Sequence, residues 1–147
     1  MPKASKTKII YRIIDANINR AKEGLRVCEE ITRFILNNRN LTSEFKKIRH
    51  RVDVLLKRLT PKIKLMQERE SLKDVGRAIY INELKRRNYQ DIFFANIQRI
   101  KESVRVLEEF AKLLNKKIAL EFKKLRYDIY QLEKKVARKV SSLYSHR

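Results

Sequence analysis

Two stretches of the chain hold residue types suited to anions, and they hold them in the same order. Residues 17–30 read NINRAKEGLRVCEE and residues 96–109 read NIQRIKESVRVLEE, identical at nine of fourteen positions. Most of the shared letters are polar: Asn17 with Asn96, Arg20 with Arg99, Glu23 with Glu102, Arg26 with Arg105, Glu29 with Glu108. Spacings of three and four bring such residues together on successive turns of a helix, where they can pair and restrain one another's rotamers. Arg presents a planar fork that fits phosphate or carboxylate, and Glu can orient that fork or hold a metal ion. The set is suited to holding an anion that carries phosphate or carboxylate.

The elements that must position these residues are themselves duplicated. A second pair of segments, SEFKKIRHRVDVL at 43–55 and LEFKKLRYDIYQL at 120–132, follows the first at a nearly constant distance. The first pair is offset by 79 residues (17 to 96) and the second by 77 (49 to 126), so the link inside each copy absorbs the difference. Each copy reads as a helical hairpin. The first long helix carries Ile14, Ile18, Ala21, Leu25, Cys28, Thr32 and Ile35 at alternating steps of four and three, the seam of a packed helix. Phe93, Ile97, Ile100, Val104, Leu107, Ala111 and Leu114 repeat it. Phe45, Ile48, Val52, Leu55 and Leu59 form the partner seam, matched by Phe122, Leu125, Ile129, Leu132 and Val136. Asn37, Asn38 and Asn40 mark the first turn, with Thr42 or Ser43 as the cap of the next helix, and the second turn falls near Asn115. The fold class is therefore all-α: an antiparallel helical bundle of two duplicated hairpins related by a pseudo-twofold axis. It forms one domain over residues 1–147, with repeat one at about 8–60, a connector at about 61–88 and repeat two at about 89–140.

Asn17, Arg20 and Gly24 lie one position behind the seam, as do Asn96, Arg99 and Ser103. Apolar residues would be the default there, and charge beside a core is costly unless paired. Gly24 inside a helix costs about 1 kcal/mol relative to Ala, so a close approach by another segment or a ligand is expected. Arg49 and Arg126 hold matching places beside the seams of the second helices. Pseudo-twofold packing would gather the two Asn, as many as six Arg and several Glu in one polar cleft. Glu29, Glu108, Lys22 and Lys101 read instead as a solvated helix face.

The bulk properties limit the partners. A formal charge of +20 over 147 residues favours nucleic acid, phosphorylated metabolites or an acidic protein surface. Lys-rich surfaces interleaved with Glu also occur where charge networks support stability at high temperature. No apolar run approaches the roughly 18 residues of a membrane span, and residues 1–8 lack a secretory pattern, so a cytoplasmic protein is expected. There is no Gly-x-x-x-x-Gly-Lys loop. His50 and His146 have no zinc-ligand spacing around them, and Cys28 falls on the seam. The aromatics sit mainly at seam positions rather than in a base-stacking row.

Three ordered segments, residues 12–34, 69–76 (RESLKDVG) and 95–112, resemble the helical domain fused ahead of some thiamine-phosphate synthases, which also occurs alone. That family is associated with hydroxymethylpyrimidine phosphate kinase activity. The resemblance implies transfer of the γ-phosphoryl of ATP, with Mg²⁺, to a phosphorylated pyrimidine. It carries onto Asp15, Asn17, Arg20, Glu23, Gly24, Arg26 and Glu29, then Arg69, Asp74 and Gly76, then Arg99, Glu102, Arg105, Glu108 and Glu109. Glu70 stands where the family pattern has Asp, and the synthase barrel has no counterpart. Arg20, Arg99 and Asp74 are the candidate catalytic residues, with Asp74 also a candidate metal ligand on the connector. Asn17, Glu23, Arg26, Arg49, Arg69, Asn96, Glu102, Arg105 and Arg126 are the candidates for substrate and phosphate binding. Two other readings remain open. One is a basic module binding nucleic acid through runs such as Lys116-Lys117, Lys123-Lys124 and Lys134-Lys135. The other is a non-catalytic partner of a separate thiamine-phosphate synthase. The broad apolar faces also allow a homodimer.

Overall fold

The structure, a computed structural model, describes residues 3–59 and 84–144. Helix α1 spans Lys3–Glu30 and runs into a π-helical turn at Ile31–Ile35; α2 spans Arg39–Leu59, α3 Tyr89–Ala111 and α4 Lys116–Ser142. No strand occurs among the described residues. The fold is all-helical, as the hydrophobic periodicity requires.

Side-chain contacts give the direction of each helix. Thr32 meets Thr42, Glu29 meets Arg49 and Lys22 meets Asp53, so numbering falls along α1 as it rises along α2. Lys101–Glu133 and Glu108–Arg126 set α3 against α4 in the same sense. Arg51–Asp128 and Glu44–Lys135 do so for α2 and α4. With α1 packed on α3, the four helices close a ring in which every neighbour is antiparallel.

The seam residues fill the centre of that ring. Phe45, Phe93, Phe122, Leu25, Ile100, Leu107 and Ile129 are completely buried, and side chains of this size contribute roughly 1.5–3 kcal/mol each on burial. Cys28 is a free thiol in this core. Burial raises its pKa above the ordinary thiol range, with the nearby Glu133 charge adding to the shift.

Asparagine begins three of the helices. Asn88 Oδ1 accepts from Asp91 N–H, and Asn115 Oδ1 accepts from the N–H groups of Lys117 and Ile118. Asn38 Oδ1 accepts from Leu41 N–H, which replaces the Thr42 or Ser43 cap expected from sequence. The chain turns early because Asn37 adopts a left-handed conformation (φ 50°) that asparagine tolerates better than most residues. Thr42 is left inside the helix, its hydroxyl donating to the Asn38 carbonyl. The π-turn, closed by Leu36 N–H on the Ile31 carbonyl at 3.0 Å, and the loop after it take up the two extra residues of the first hairpin.

At the α1/α3 crossing a Cβ on Gly24 would stand 2.7 Å from Ile100 Cγ1 and 3.1 Å from the Asn96 carbonyl oxygen. The neighbouring helix, rather than a ligand, accounts for this glycine.

Candidate functional site

The α1/α3 seam holds the repeated Asn–Arg pairs. Asn17 is buried and its amide donates to the Ile13 carbonyl at 2.8 Å; Asn96, half-buried, donates to the Ile92 carbonyl at the same distance. Each amide thus satisfies a backbone acceptor one turn earlier, a common way for a helix to accommodate a polar side chain beside a core. Arg20 Nη1 reaches Asn17 Oδ1 at 3.4 Å, a long contact. Arg20 and Arg99 are both exposed, and Arg99 makes no hydrogen bond or ion pair among the described residues.

Helical phase puts Arg20 and Arg99 on the outward side of the stripe that faces the opposite helix, so they rim one groove between α1 and α3. Gly24 lies level with residues 96–100, which offsets the two arginines along that groove by about one turn, or roughly 5 Å. Glu23 and Glu102 follow one turn after each arginine. Among the described residues Glu23 has no partner and Glu102 accepts only from Gln98 Nε2 at 3.4 Å. Among the described residues the groove therefore presents two guanidinium groups without a carboxylate partner, with a lightly engaged carboxylate beside each.

The other repeated charges form two separate clusters. Glu29 is completely buried and its Oε1 accepts from Arg49 Nε and Nη2 at 3.3 and 3.1 Å. In the second hairpin Glu108, also buried, accepts from Arg126 Nε at 2.9 Å and from Arg105 Nη1 at 3.1 Å. Arg126 donates on to the Tyr130 hydroxyl and lies over the rings of Tyr127 and Tyr130. The Glu108 carboxylate, by accepting from it, holds this guanidinium even more firmly protonated than usual. The first cluster is looser. Arg26 stands 3.8 Å from Glu29 Oε2, which has no hydrogen-bond partner, and Arg49 is 25% exposed against 10% for Arg126.

These contacts correct two expectations. Glu29 and Glu108 do not lie on a solvated face: they are the buried anchors of their hairpins, because each is turned toward an Arg on the partner helix. Lys22 and Lys101 are likewise paired, with Asp53 and Glu133. Nor do six Arg converge in one cleft. Arg26 and Arg49 belong to the α1/α2 seam, Arg105 and Arg126 to the α3/α4 seam, and only Arg20 and Arg99 border the α1/α3 groove. The missed signal was the joint repetition of Glu29 with Arg49 and of Glu108 with Arg126, at the two offsets that link the hairpins.

Arg69, Asp74 and Gly76 lie outside the described residues. Among the described residues no group of three His, Cys, Asp or Glu side chains is placed to hold a metal ion. No helix there is long and apolar enough to cross a membrane.

Residues 12–135 match the ThiD2 family. The chain is 40% identical to a thiamine-phosphate synthase of Nostoc punctiforme over 127 residues, covering 86% of this chain and 35% of that one. It is 40% identical to the corresponding synthase of Synechocystis sp. over 140 residues, covering 90% and 37%. Against that of Rhodopirellula baltica it is 33% identical over 140 residues, covering 95% and 37%. The chain thus spans about a third of the length of these curated relatives. No solved structure gives a significant match.

Proposed function

The chain belongs to the ThiD2 family, a family of thiamine biosynthesis, and from that premise we propose that it transfers the γ-phosphoryl of ATP to hydroxymethylpyrimidine phosphate. The observation that carries this reading is the pair Arg20 and Arg99: exposed, repeated, bordering one groove and, among the described residues, without a carboxylate partner. Such guanidinium groups are ready to bind phosphate oxygens bidentately.

The chemistry asks for little else. The acceptor is a phosphate monoester, whose second ionisation lies near pH 6, so its attacking oxygen is already anionic at neutral pH. The difficulty is bringing two phosphate groups together, which is a matter of positioning and charge neutralisation. Arg20 and Arg99 supply that neutralisation from opposite sides of the groove. Mg²⁺, when bound, would supply further neutralisation of phosphate charge, and Glu23 or Glu102, the carboxylates beside the two arginines, would hold it; such ions need only one or two protein carboxylates. Asp74 is proposed as a further ligand from the connector.

Two hairpins related by a pseudo-twofold axis agree with this assignment. The repeated Asn17 and Asn96 bonds support that symmetry, as does the Arg51–Asp128 pair, whose members occupy the same place in the two copies. A second reading is favoured by the names of the relatives: the domain would bind the pyrimidine phosphate and serve a separate thiamine-phosphate synthase without turnover.

Purified protein supplied with ATP, Mg²⁺ and hydroxymethylpyrimidine phosphate is expected to form ADP and the pyrimidine diphosphate. Arg20→Ala and Arg99→Ala should each reduce turnover at least about a hundredfold, the loss expected for one preorganised charge-stabilising donor, while the helical circular dichroism stays unchanged. Pyrimidine phosphate binding without turnover in the wild type would favour the partner reading. Full turnover in both variants would remove the groove as the site.

A further inference from the structure

The tip of the first hairpin carries a feature that the α1/α3 groove does not use. A cleft of about 510 Å³ opens between the π-turn and the start of α2, and the cations Arg33, Arg39 and Lys46 line it with no carboxylate among its walls. None of the three makes an ion pair among the described residues. On a surface where most of the described glutamates and aspartates are engaged by Lys or Arg, three unpaired cations around one concavity leave an uncompensated positive potential.

The walls are also preorganised. Thr32 and Thr42, both buried, bring their hydroxyls to 2.9 Å; with the Thr42 proton on the Asn38 carbonyl, the Thr32 proton lies between Thr42 Oγ1 and the Glu29 carbonyl, each 2.9 Å away. This network pins the π-turn against α2, and π-helical turns occur disproportionately at functional sites. Asn38 Oδ1 is committed to the Leu41 N–H, while Asn37 and Ser43 complete the lining with neutral polar groups. The Arg33 guanidinium lies over the Phe34 ring, 4.8 Å from its centroid, which steadies it without neutralising it.

The second hairpin provides an internal contrast. The equivalents of Arg33, Arg39 and Lys46 are Lys112, Lys116 and Lys123, so the charge is kept. The equivalents of Thr42 and Ser43, however, are Ala119 and Leu120, Lys112 is paired with Glu109, and the chain there has no π-turn. The cations stand at both tips, but the Thr32–Thr42 contact and the π-turn that shape the first have no counterpart at the second.

We propose that this cleft binds a small phosphate-bearing anion. The site is separate from the α1/α3 groove: Arg33 lies thirteen residues beyond Arg20, or about 20 Å along the helix axis. It does not depend on the kinase reading, because it rests on its own cations and its own cavity.

The test is isothermal titration of the full chain with inorganic pyrophosphate at physiological ionic strength, repeated with orthophosphate. The double variant R39Q/K46Q should bind pyrophosphate at least about tenfold more weakly than wild type, since each charge-assisted hydrogen bond lost is worth a factor of that order. K116Q/K123Q removes the same charge at the second tip and should stay within about twofold of wild type. Equal weakening by both pairs would reveal diffuse attraction to a highly basic protein and overturn the proposal. So would pyrophosphate binding that neither pair alters. Weaker binding of orthophosphate than pyrophosphate supports a site for linked phosphates; equal affinity supports a site for a single phosphate group.

Discussion

The two buried glutamates should differ sharply in what they contribute to stability, and Glu108→Gln compared with Glu29→Gln measures the difference. Gln preserves shape and one carbonyl oxygen, so each substitution mainly removes charge. In the second hairpin the consequence is severe. Arg126 is only 10% exposed, packed against Tyr127 and Tyr130, and Glu108 is the carboxylate that accepts from its Nε. Neutralising Glu108 leaves a guanidinium buried without its counter-charge, and breaking a buried pair from one side costs about 3 kcal/mol. In the first hairpin Arg49 is 25% exposed and can turn its charge toward water. Glu29 also carries an oxygen with no hydrogen-bond partner, so the substitution relieves part of an existing penalty. A loss of about 1 kcal/mol is expected there.

Urea denaturation followed by circular dichroism at the helical minimum reads the two values directly from the shift in midpoint at constant slope. For a domain of this size, about 3 kcal/mol corresponds to a Tm reduction of roughly 6–12 °C and about 1 kcal/mol to roughly 2–4 °C. A double-mutant cycle joining Glu108→Gln to Arg126→Met should recover much of the loss, because the stranded cation disappears with its partner. Equal losses at the two sites, or a larger one at Glu29, would refute the reasoning that exposure of the paired arginine sets the cost.

Gly24→Ala should destabilise by about 1 kcal/mol, although Ala is the better helix former by a similar amount, because overpacking a filled crossing costs about 1–3 kcal/mol. Ile100 is fully buried and the Asn96 carbonyl is backbone, so neither yields easily; a lower urea midpoint checks this, and an unchanged or higher one contradicts it. Cys28 should resist iodoacetamide in the native protein and react rapidly in urea, since burial raises its pKa and shields its sulfur. With its folded pKa above the unfolded value, the thiol's contribution to stability is complete below the ordinary thiol range. That contribution is lost as pH climbs past about 9, where the unfolded chain ionises first. Unfolding free energies of wild type and Cys28→Ala across that range should therefore converge with rising pH, and parallel curves would count against the shift.

How much of this was readable beforehand follows from what periodicity encodes. The seam positions were legible because burial repeats every three or four residues, and Ile14, Leu25, Phe93, Ile100, Phe122 and Ile129 all lie in the core. The helix ends were legible at Asn115 but not at Asn38, where the left-handed Asn37 and the π-turn depend on two extra residues that no helical pattern announces. Glu29 and Glu108 were misread because a charged residue on a helix is assigned to solvent unless its cross-helix partner is known. That partner is a tertiary fact, visible in sequence only through the matched repetition of Arg49 and Arg126. The cleft at Arg33, Arg39 and Lys46 went unseen for a similar reason: its cations are shared by both hairpins, and only the path of the backbone distinguishes them.

The structure also separates two reasons for which polar residues recur between the two similar segments. Glu29 with Arg49, and Glu108 with Arg126, recur because each hairpin needs a polar bridge between its own two helices; stability alone would preserve them. Asn17 and Asn96 recur with the same backbone hydrogen bond, which explains how they are accommodated but not why an apolar residue was not used. Arg20 and Arg99 have no such account. They are exposed, and among the described residues they neutralise no carboxylate and Arg99 bonds to nothing, so the bundle would lose little by replacing them. Each stands at the same place in the two repeated segments beside the crossing that requires Gly24, and binding is the role the proposed function gives them. That is why Arg20→Ala and Arg99→Ala separate function from folding more cleanly than any substitution at Glu29 or Glu108.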